Sequence, residues 1–231
     1  MASPNLAIQI SSHLVSTKSI LPSQAWLTSL LSSQKPNLPL QSLVQTALFR
    51  LLASEITVSV QPTSENTFPT NIHDIKIASS RLRGPVVVQI VDVEDIGHSK
   101  LSQLDALESA ERGEKMKGKE VIRVVPGEDE DNDPDNLGLT GAGGPHKLLL
   151  EDAKGTRVYA FEFKPISGVG IGMNIGCKAV VRDAKVVRGV LMLEPANTTM
   201  VGGKVEELHK AWREQRKARL KADIEVLKED G

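Results

Sequence analysis

The chain has 231 residues, a net charge of −1, an apolar fraction of 40% and only 3% aromatic residues. This length allows one ordinary domain and an appendage, with a core of mainly aliphatic side chains. The near-zero charge excludes a global field that attracts nucleic acid, and the single cysteine excludes an intrachain disulfide. The sequence also predicts no membrane span and no secretory signal, because apolar runs are short and Lys18 follows the first one instead of preceding it.

Residues 1–60 predict a helical bundle. In its third helix the apolar residues recur at helical spacing: Leu40, Leu43, Val44, Ala47, Leu48, Leu51 and Leu52. Two weaker helices precede it, over residues 5–15 and around Trp26–Leu31. Because three short helices bury little apolar surface alone, we expect them to pack as a bundle against the next domain.

A linker, residues 61–83, is predicted between the bundle and a β-domain. Before it, Ile56–Val60 alternates apolar and polar residues, which favours a short strand. The linker itself is polar, contains two prolines and ends at Gly84-Pro85.

Five Val- and Leu-rich runs closed by turn residues predict the strands of a small barrel. They are Pro85–Asp92, Lys147–Asp152, Arg157–Phe163, Gly176–Asp183 and Arg188–Pro195. The predicted fold is therefore α+β: an N-terminal three-helix bundle packed on a five-stranded OB-type barrel (residues 84–203), and a C-terminal helix (residues 204–231).

A long insertion, residues 94–146, separates the first and second barrel strands. Ser99–Glu111 predicts a helix with Ser99 as its N-cap, and Glu120–Val125 predicts a strand. Residues 127–145 combine the acidic tract Glu128–Asp135 with a glycine-rich stretch, and this composition predicts a mobile segment.

No motif supports catalysis or a cofactor. Asp131–Asp135 resembles the start of a calcium loop, but Asn136 and Ala142 occupy the positions of the turn glycine and the bidentate glutamate. Gly168–Gly172 lacks the third glycine and the following helix of a dinucleotide fingerprint. The five histidines show no zinc spacing, so we expect no metal, no cofactor and no small-molecule substrate.

Nucleic-acid binding is the alternative that the barrel itself raises. Tyr159, Phe161 and Phe163 alternate on one strand and so share a face. If that face is exposed, the chain is an autonomous single-stranded-DNA binder that uses Tyr159, Phe161, Arg182 and Lys185. The scarcity of other aromatic residues favours the opposite interpretation, in which these rings are core.

Four blocks of sequence are distinctive: Ala25–Leu27, Asp92–Lys100, Arg188–Asn197 and Val201–Val205. They resemble the RecQ-mediated genome instability protein 1 family in its short fungal form. The most specific block is Gly-Val-Leu-x-Leu-x-Pro-x-Asn at residues 189–197, followed by Val-Gly-Gly. The longer animal members of that family carry a second, C-terminal OB domain, which this sequence is expected to lack.

The resemblance implies a non-enzymatic nuclear scaffold. In that family the subunit binds a type IA topoisomerase (topoisomerase III) and a RecQ-type helicase, and the complex dissolves double Holliday junctions. DNA is then contacted mainly through the complex, and no membrane is involved. The insertion of the family reaches into the topoisomerase and modulates strand passage.

Residues that match the topoisomerase-binding positions lie at the start of the insertion and on the fourth strand. They are Asp95, Ile96, Gly97, His98, Ser99, Lys100, Leu101, Leu104, Leu107 and Lys178. The resemblance implies that the three leucines anchor the insertion and that Lys178 is a basic contact.

Overall fold

The computed structural model describes residues 4–35, 38–112, 114–117, 120–123 and 144–229. A helical domain, a curled β-sheet and a long C-terminal helix follow one another along the chain. The acidic tract Glu128–Asp135 and most of the glycine-rich stretch lie outside the described residues. Within those ranges, no helix is long and apolar enough to cross a membrane.

The N-terminal domain contains α1 (Pro4–Lys18), α2 (Gln24–Ser32), α3 (Leu40–Leu52) and the single turn α4 (Ile56–Ser59). Their buried side chains form one core, and its largest members are Ile10, Leu14, Ile20, Leu27, Leu51 and Ile56. The predicted three-helix bundle is therefore confirmed.

The strand predicted at Ile56–Val60 is wrong, because this segment forms the turn α4. A strand would place Ile56, Val58 and Val60 on one face. Instead Ile56 and Val60 are buried and Val58 is exposed, which is the pattern of residues four apart on a helical turn. The N–H of Ile56 donates to Oε1 of Gln89 (3.0 Å), which satisfies one unpaired group at the helix start.

In the described ranges, ten strands follow the helical domain. In chain order they are β1 (Ser80–Leu82), β2 (Val86–Asp95), β3 (Glu114–Lys117), β4 (Glu120–Arg123), β5 (His146–Asp152), β6 (Arg157–Glu162), β7 (Lys178–Val181), β8 (Ala184–Val187), β9 (Val190–Leu193) and β10 (Thr198–Gly202). All except β3 and β4 belong to one sheet, in the order β1-β8-β9-β6-β5-β2-β7-β10.

The sheet is curled because of how β7 and β8 are connected. They lie near opposite ends of the strand order, yet only Arg182 and Asp183 separate them in the chain. Asp183 adopts a left-handed conformation (φ 51°), so the chain bends sharply at this point. Counted as one bent strand, β7–β8 completes the predicted five-stranded OB-type barrel with β2, β5, β6 and β9.

The long helix α6 (Glu206–Glu229) packs against the barrel through its first half, as the sequence predicts. Trp212 is buried, and its indole N–H donates to Oδ1 of Asp92 (2.6 Å). Leu220 is also buried, whereas Val226 and Leu227 near the helix end are exposed.

The helical domain docks on the outside of the barrel. Val87 of β2, Val180 of β7 and Ala153 of the β5–β6 turn are all part of the helical core. Their neighbours Val86, Val88 and Val181 point into the barrel, so these strands are buried on both faces.

The insertion begins with α5 (Lys100–Glu111), and the predicted helix is confirmed. Ser99 is its N-cap, since its Oγ accepts from the N–H of Ser102 (3.1 Å). The short strands β3 and β4 pair as an antiparallel hairpin, which places β4 where a strand was predicted.

Candidate functional site

The insertion leaves the barrel through a narrow neck, defined here as Ile96 and Gly97 against Gly144 and Pro145. Below it, Asp95 pairs with His146 at the end of the β2–β5 ladder. The N–H of Ile96 donates to the carbonyl of Pro145 (3.1 Å). Gly97 and Gly144 meet so closely that a Cβ on either would lie 2.4 Å from the Cα of the other. Glycine is thus required on both sides of the neck.

Asp95 builds the turn that opens the insertion. Its Oδ1 accepts the N–H groups of Gly97 (2.8 Å) and His98 (3.1 Å), and its Oδ2 lies 2.7 Å from Nδ1 of His98. Burial raises the pKa of Asp95, but the bonds and charge of His98 and the Gly97 N–H outweigh it and hold the pKa below its usual range. These polar groups are therefore occupied by local structure.

Gln103 fixes α5 onto this turn. Its buried Nε2 donates to the carbonyls of Asp95 (2.9 Å) and His98 (3.0 Å). Sequence reasoning missed Gln103, because a glutamine on an amphipathic helix carries no signal that it is buried.

Apolar side chains remain exposed beside the neck. Ile96 is 45% exposed and Leu101 is 58% exposed, whereas Leu104 and Leu107 are half-buried. Lys100 is held by Glu94 (3.4 Å) and by Asp223 of α6 (3.2 Å). The structure therefore brings the predicted residues 95–107 together but divides them into turn-building groups and exposed apolar groups.

A set of ion pairs braces α5 against α6. Lys217 lies 2.6 Å from Glu111 and 3.4 Å from Glu108, and Lys221 also lies 3.4 Å from Glu108. Hydrogen bonds from Lys217 and then Lys221 lower the pKa of Glu108. The C-terminal helix thus positions the first helix of the insertion.

Lys178 is not on the surface, which corrects the expectation that it is a basic contact. Its side chain is 0% exposed, and its ammonium donates to the carbonyls of Leu52 (3.3 Å), Ser54 (2.5 Å) and Gly176 (2.8 Å). Burial lowers the pKa of Lys178 to about 8. This side chain joins the barrel to the end of α3 and offers a partner no accessible group.

Gln89 stands directly opposite Lys178 in the β2–β7 ladder, and both side chains serve the helical domain. Lys178 binds carbonyls at and after the end of α3, and Gln89 accepts the first N–H of α4. We call Gln89 and Lys178 the interdomain clamp, since together they hold the segment Leu52–Ile56. No motif in the sequence identifies such a cross-strand pair.

A second buried polar pair, also not predicted, lies where the chain returns from the insertion. Nδ1 of His146 is 2.5 Å from Oε2 of Glu162. Glu162 also accepts the N–H groups of His146 (3.2 Å) and Ile166 (2.8 Å). The pair fastens the first residue of β5 to the end of β6.

The aromatic residues of β6 face outward, so the expectation that they are core is wrong. Tyr159 is 50% exposed and Phe163 is 62% exposed, with Phe161 half-buried between them. Val158, Ala160 and Glu162 fill the inner face instead. The aliphatic core is complete without the rings.

The strand registers place five outward side chains in one row across the sheet. The row is Lys147, Phe161, Met192, Lys185 and Arg81. It brings the candidates Phe161 and Lys185 onto the same face, which we call the aromatic face. Arg182 lies elsewhere, because its guanidinium donates to Oγ of Ser19 at the helical domain (2.6 Å).

Comparison with known proteins identifies the family. The family model described as "RMI1, N-terminal OB-fold domain" matches residues 68–216, and "RMI1, N-terminal helical domain" matches residues 14–59. RecQ-mediated genome instability protein 1 of Schizosaccharomyces pombe is 38% identical over 203 residues, covering 80% of this chain and 83% of that protein. The chain belongs to the RecQ-mediated genome instability protein 1 family.

Other members of the family are longer. The Xenopus laevis protein of the same name is 27% identical over 90% of this chain, but the match covers 35% of its own length. The Arabidopsis thaliana protein is 38% identical over 65 residues, which is 10% of its length. The matches support a genome-stability role connected with RecQ. In the ranges that the structure describes, no group of three His, Cys, Asp or Glu side chains is placed to hold a metal ion.

Proposed function

We propose that this protein is a non-catalytic scaffold subunit that binds a type IA topoisomerase (topoisomerase III) together with a RecQ-family helicase. The complex would act in the nucleus, promote the dissolution of double Holliday junctions and contact DNA mainly through its enzymes. Family membership supports the connection with RecQ and genome stability, since the relatives carry that name.

One observation carries the proposal: exposed apolar residues are displayed at a rigid neck. Ile96 and Leu101 face solvent although the turn, Gln103 and the α6 brace fix the backbone around them. Exposed apolar groups on a preorganised element lose little entropy on binding, which favours a protein partner. In this assignment Asp95, Gly97, His98 and Ser99 shape the neck, while Ile96 and Leu101 make the contact. Leu104 and Leu107 are secondary anchors, and Lys100 is an ion-paired support.

A chain in which a Gly-Ser linker replaces residues 98–143 tests whether the insertion regulates the topoisomerase. This variant keeps Gly97 next to Gly144, so the β2–β5 ladder is preserved. We expect the full chain to capture purified topoisomerase III and to change its relaxation activity, and the variant to leave that activity unchanged. Full regulation by the variant, with an unchanged melting temperature, would contradict the role of the insertion.

Single-stranded-DNA binding is the second candidate function, and the exposed Tyr159 and Phe163, with the half-buried Phe161 between them, favour it. Such rings stack on bases in OB-type barrels. The surrounding cations are largely neutralised, however: Lys147 by Glu94 (3.1 Å), Arg157 by Glu151 (2.9 Å), and Lys164 by Glu194 (2.6 Å). Phosphate binding requires free cations, so we rank this function below the scaffold. Titration with labelled (dT)15 at two salt concentrations, for the wild type and Phe161→Ala, distinguishes single-stranded-DNA binding from the scaffold function.

A further inference from the structure

The aromatic face continues into a groove that the proposed scaffold function does not use. Its apolar walls come from Phe163 of the β6 end, Val187 of β8 and Met192 of β9. Its volume of about 820 Å³ lies within the range of roughly 300–1,000 Å³ that is typical of ligand-binding clefts. It lies across the barrel wall formed by β1, β8 and β9, whereas the insertion leaves from β2 and β5.

Charge distinguishes the occupants that such a groove can take. Lys185 stands in the groove beside Met192, its register partner, and among the described residues no carboxylate pairs with it. Two other charged residues of the lining are already paired: Arg81 with Asp183 (3.3 Å), and Glu194 with Lys164 (2.6 Å). Within the part of the chain that the structure describes, Lys185 is thus the one cation of the groove lining that no carboxylate pairs with.

We propose that this groove docks an extended peptide segment of a partner protein, in which an apolar side chain stands next to a carboxylate. The apolar side chain packs between Phe163 and Met192, and the carboxylate pairs with Lys185. A polynucleotide fits less well, because it needs a track of free cations along its backbone and the groove has one. The groove lies on a different wall of the barrel from the neck, and its test uses no topoisomerase, so its outcome is separate from that of the scaffold function.

The test probes an immobilised positional-scanning library of acetylated heptapeptides with the full chain in solution, without any topoisomerase. We expect enrichment of peptides that combine Leu, Ile, Phe or Met with Asp or Glu. Lys185→Glu should weaken these peptides at least about tenfold and shift the preference toward Lys and Arg. The matched control Lys154→Glu reverses the charge of an exposed lysine on the β5–β6 turn and should leave the wild-type pattern.

A second variant checks the apolar contact. Phe163→Ser removes an exposed ring, so it should abolish peptide enrichment without lowering the melting temperature. The proposal is overturned if no acidic-apolar peptides are enriched, or if Lys185→Glu retains the wild-type preference. It is also overturned if (dT)15 binds the wild type more tightly than the best peptide and Lys185→Glu abolishes that binding, because the groove is then a nucleic-acid site.

Discussion

Lys178 illustrates at the residue scale how a side chain can matter for binding without touching a partner. Its ammonium holds the end of α3 against the barrel, and Gln89 beside it holds the start of α4. A change at this position would disturb the orientation of the helical domain. Loss of partner binding in a Lys178 variant would therefore report on the interdomain clamp.

Lys178→Met should destabilise the protein by about 2–4 kcal/mol, because three carbonyls lose a charged donor in a buried site. Urea unfolding followed by circular dichroism measures the loss. Lys154→Met, at an exposed lysine, is the control and should be neutral. Equal stability of Lys178→Met and the wild type would contradict the clamp.

Lys178 also predicts a pH dependence of stability. Burial lowers its pKa to about 8 in the folded protein, while an unfolded lysine titrates near 10.4. Between these values the unfolded chain binds the additional proton, so this group's contribution to stability rises with pH and is lost as pH falls through about 8. The stability difference between the wild type and Lys178→Met should favour the wild type by about 1 kcal/mol more at pH 9 than at pH 7.5. A pH-independent difference would contradict a buried, titrating Lys178.

Gly97→Ala tests the neck at the same scale. The added Cβ would lie 2.4 Å from the Cα of Gly144, and its three nearest atoms are all backbone atoms of Gly144, so the two segments of the neck must separate. We expect a loss of about 1–3 kcal/mol, as in other overpacked sites. Gly170→Ala is the matched control, because nothing lies within 4 Å of its added Cβ. A Gly97→Ala protein as stable as Gly170→Ala would mean that the neck is open.

Between elements, the α5–α6 brace includes several ion pairs, which makes it sensitive to salt. Lys217 faces both Glu108 and Glu111, so Lys217→Glu replaces two attractions by two repulsions. Hydrogen exchange of the α5 amides should become faster in this variant. The same amides should also exchange faster in the wild type when 1 M NaCl is added. Lys210→Glu is the control, because Lys210 pairs only weakly with Glu214 on the same helix (4.0 Å). Unchanged α5 exchange in Lys217→Glu would show that other contacts hold the helix.

Elements with a clear period were predictable from the sequence, and short polar ones were not. The periodic apolar residues of α3 and the Ser99 cap gave the right helices, because local propensity and tertiary burial agree there. The strands β1, β3, β8 and β10 were missed because each is short and has no Val- and Leu-rich run of its own closed by turn residues. Ile56–Val60 was misassigned because an alternating run of five residues also fits one helical turn.

The site was less predictable than the fold. The resemblance pointed to Leu101, which is exposed, but it also implied that Lys178 is a contact, and Lys178 is buried. The exposure of Tyr159 reverses what composition favoured. The error at Tyr159 has a physical cause: composition tells which residues can fill a core, whereas the barrel needs only as many as its volume admits. Val158 and Ala160 fill that volume, so the rings of β6 remain outside.

On the scale of the whole molecule, three sets of contacts fix the parts of the chain on the barrel, and two of them lie at the insertion. The interdomain clamp fixes the helical domain on one side of the barrel, the His146–Glu162 pair fixes the strand that returns from the insertion, and α6 braces α5. The outcome is a rigid frame with apolar groups displayed at its neck. This arrangement suits a scaffold whose function is to present one segment to an enzyme in a fixed position.

Isothermal titration of purified topoisomerase III with the full chain and with the double variant Ile96→Asp/Leu101→Asp tests the central claim most directly. The scaffold account predicts that the double variant keeps the wild-type melting temperature and loses at least about tenfold in affinity, while Ile75→Asp, at an exposed isoleucine away from the neck, binds like the wild type. Wild-type affinity of the double variant would contradict the neck as the docking surface. No binding by the wild-type chain would contradict the topoisomerase partnership itself.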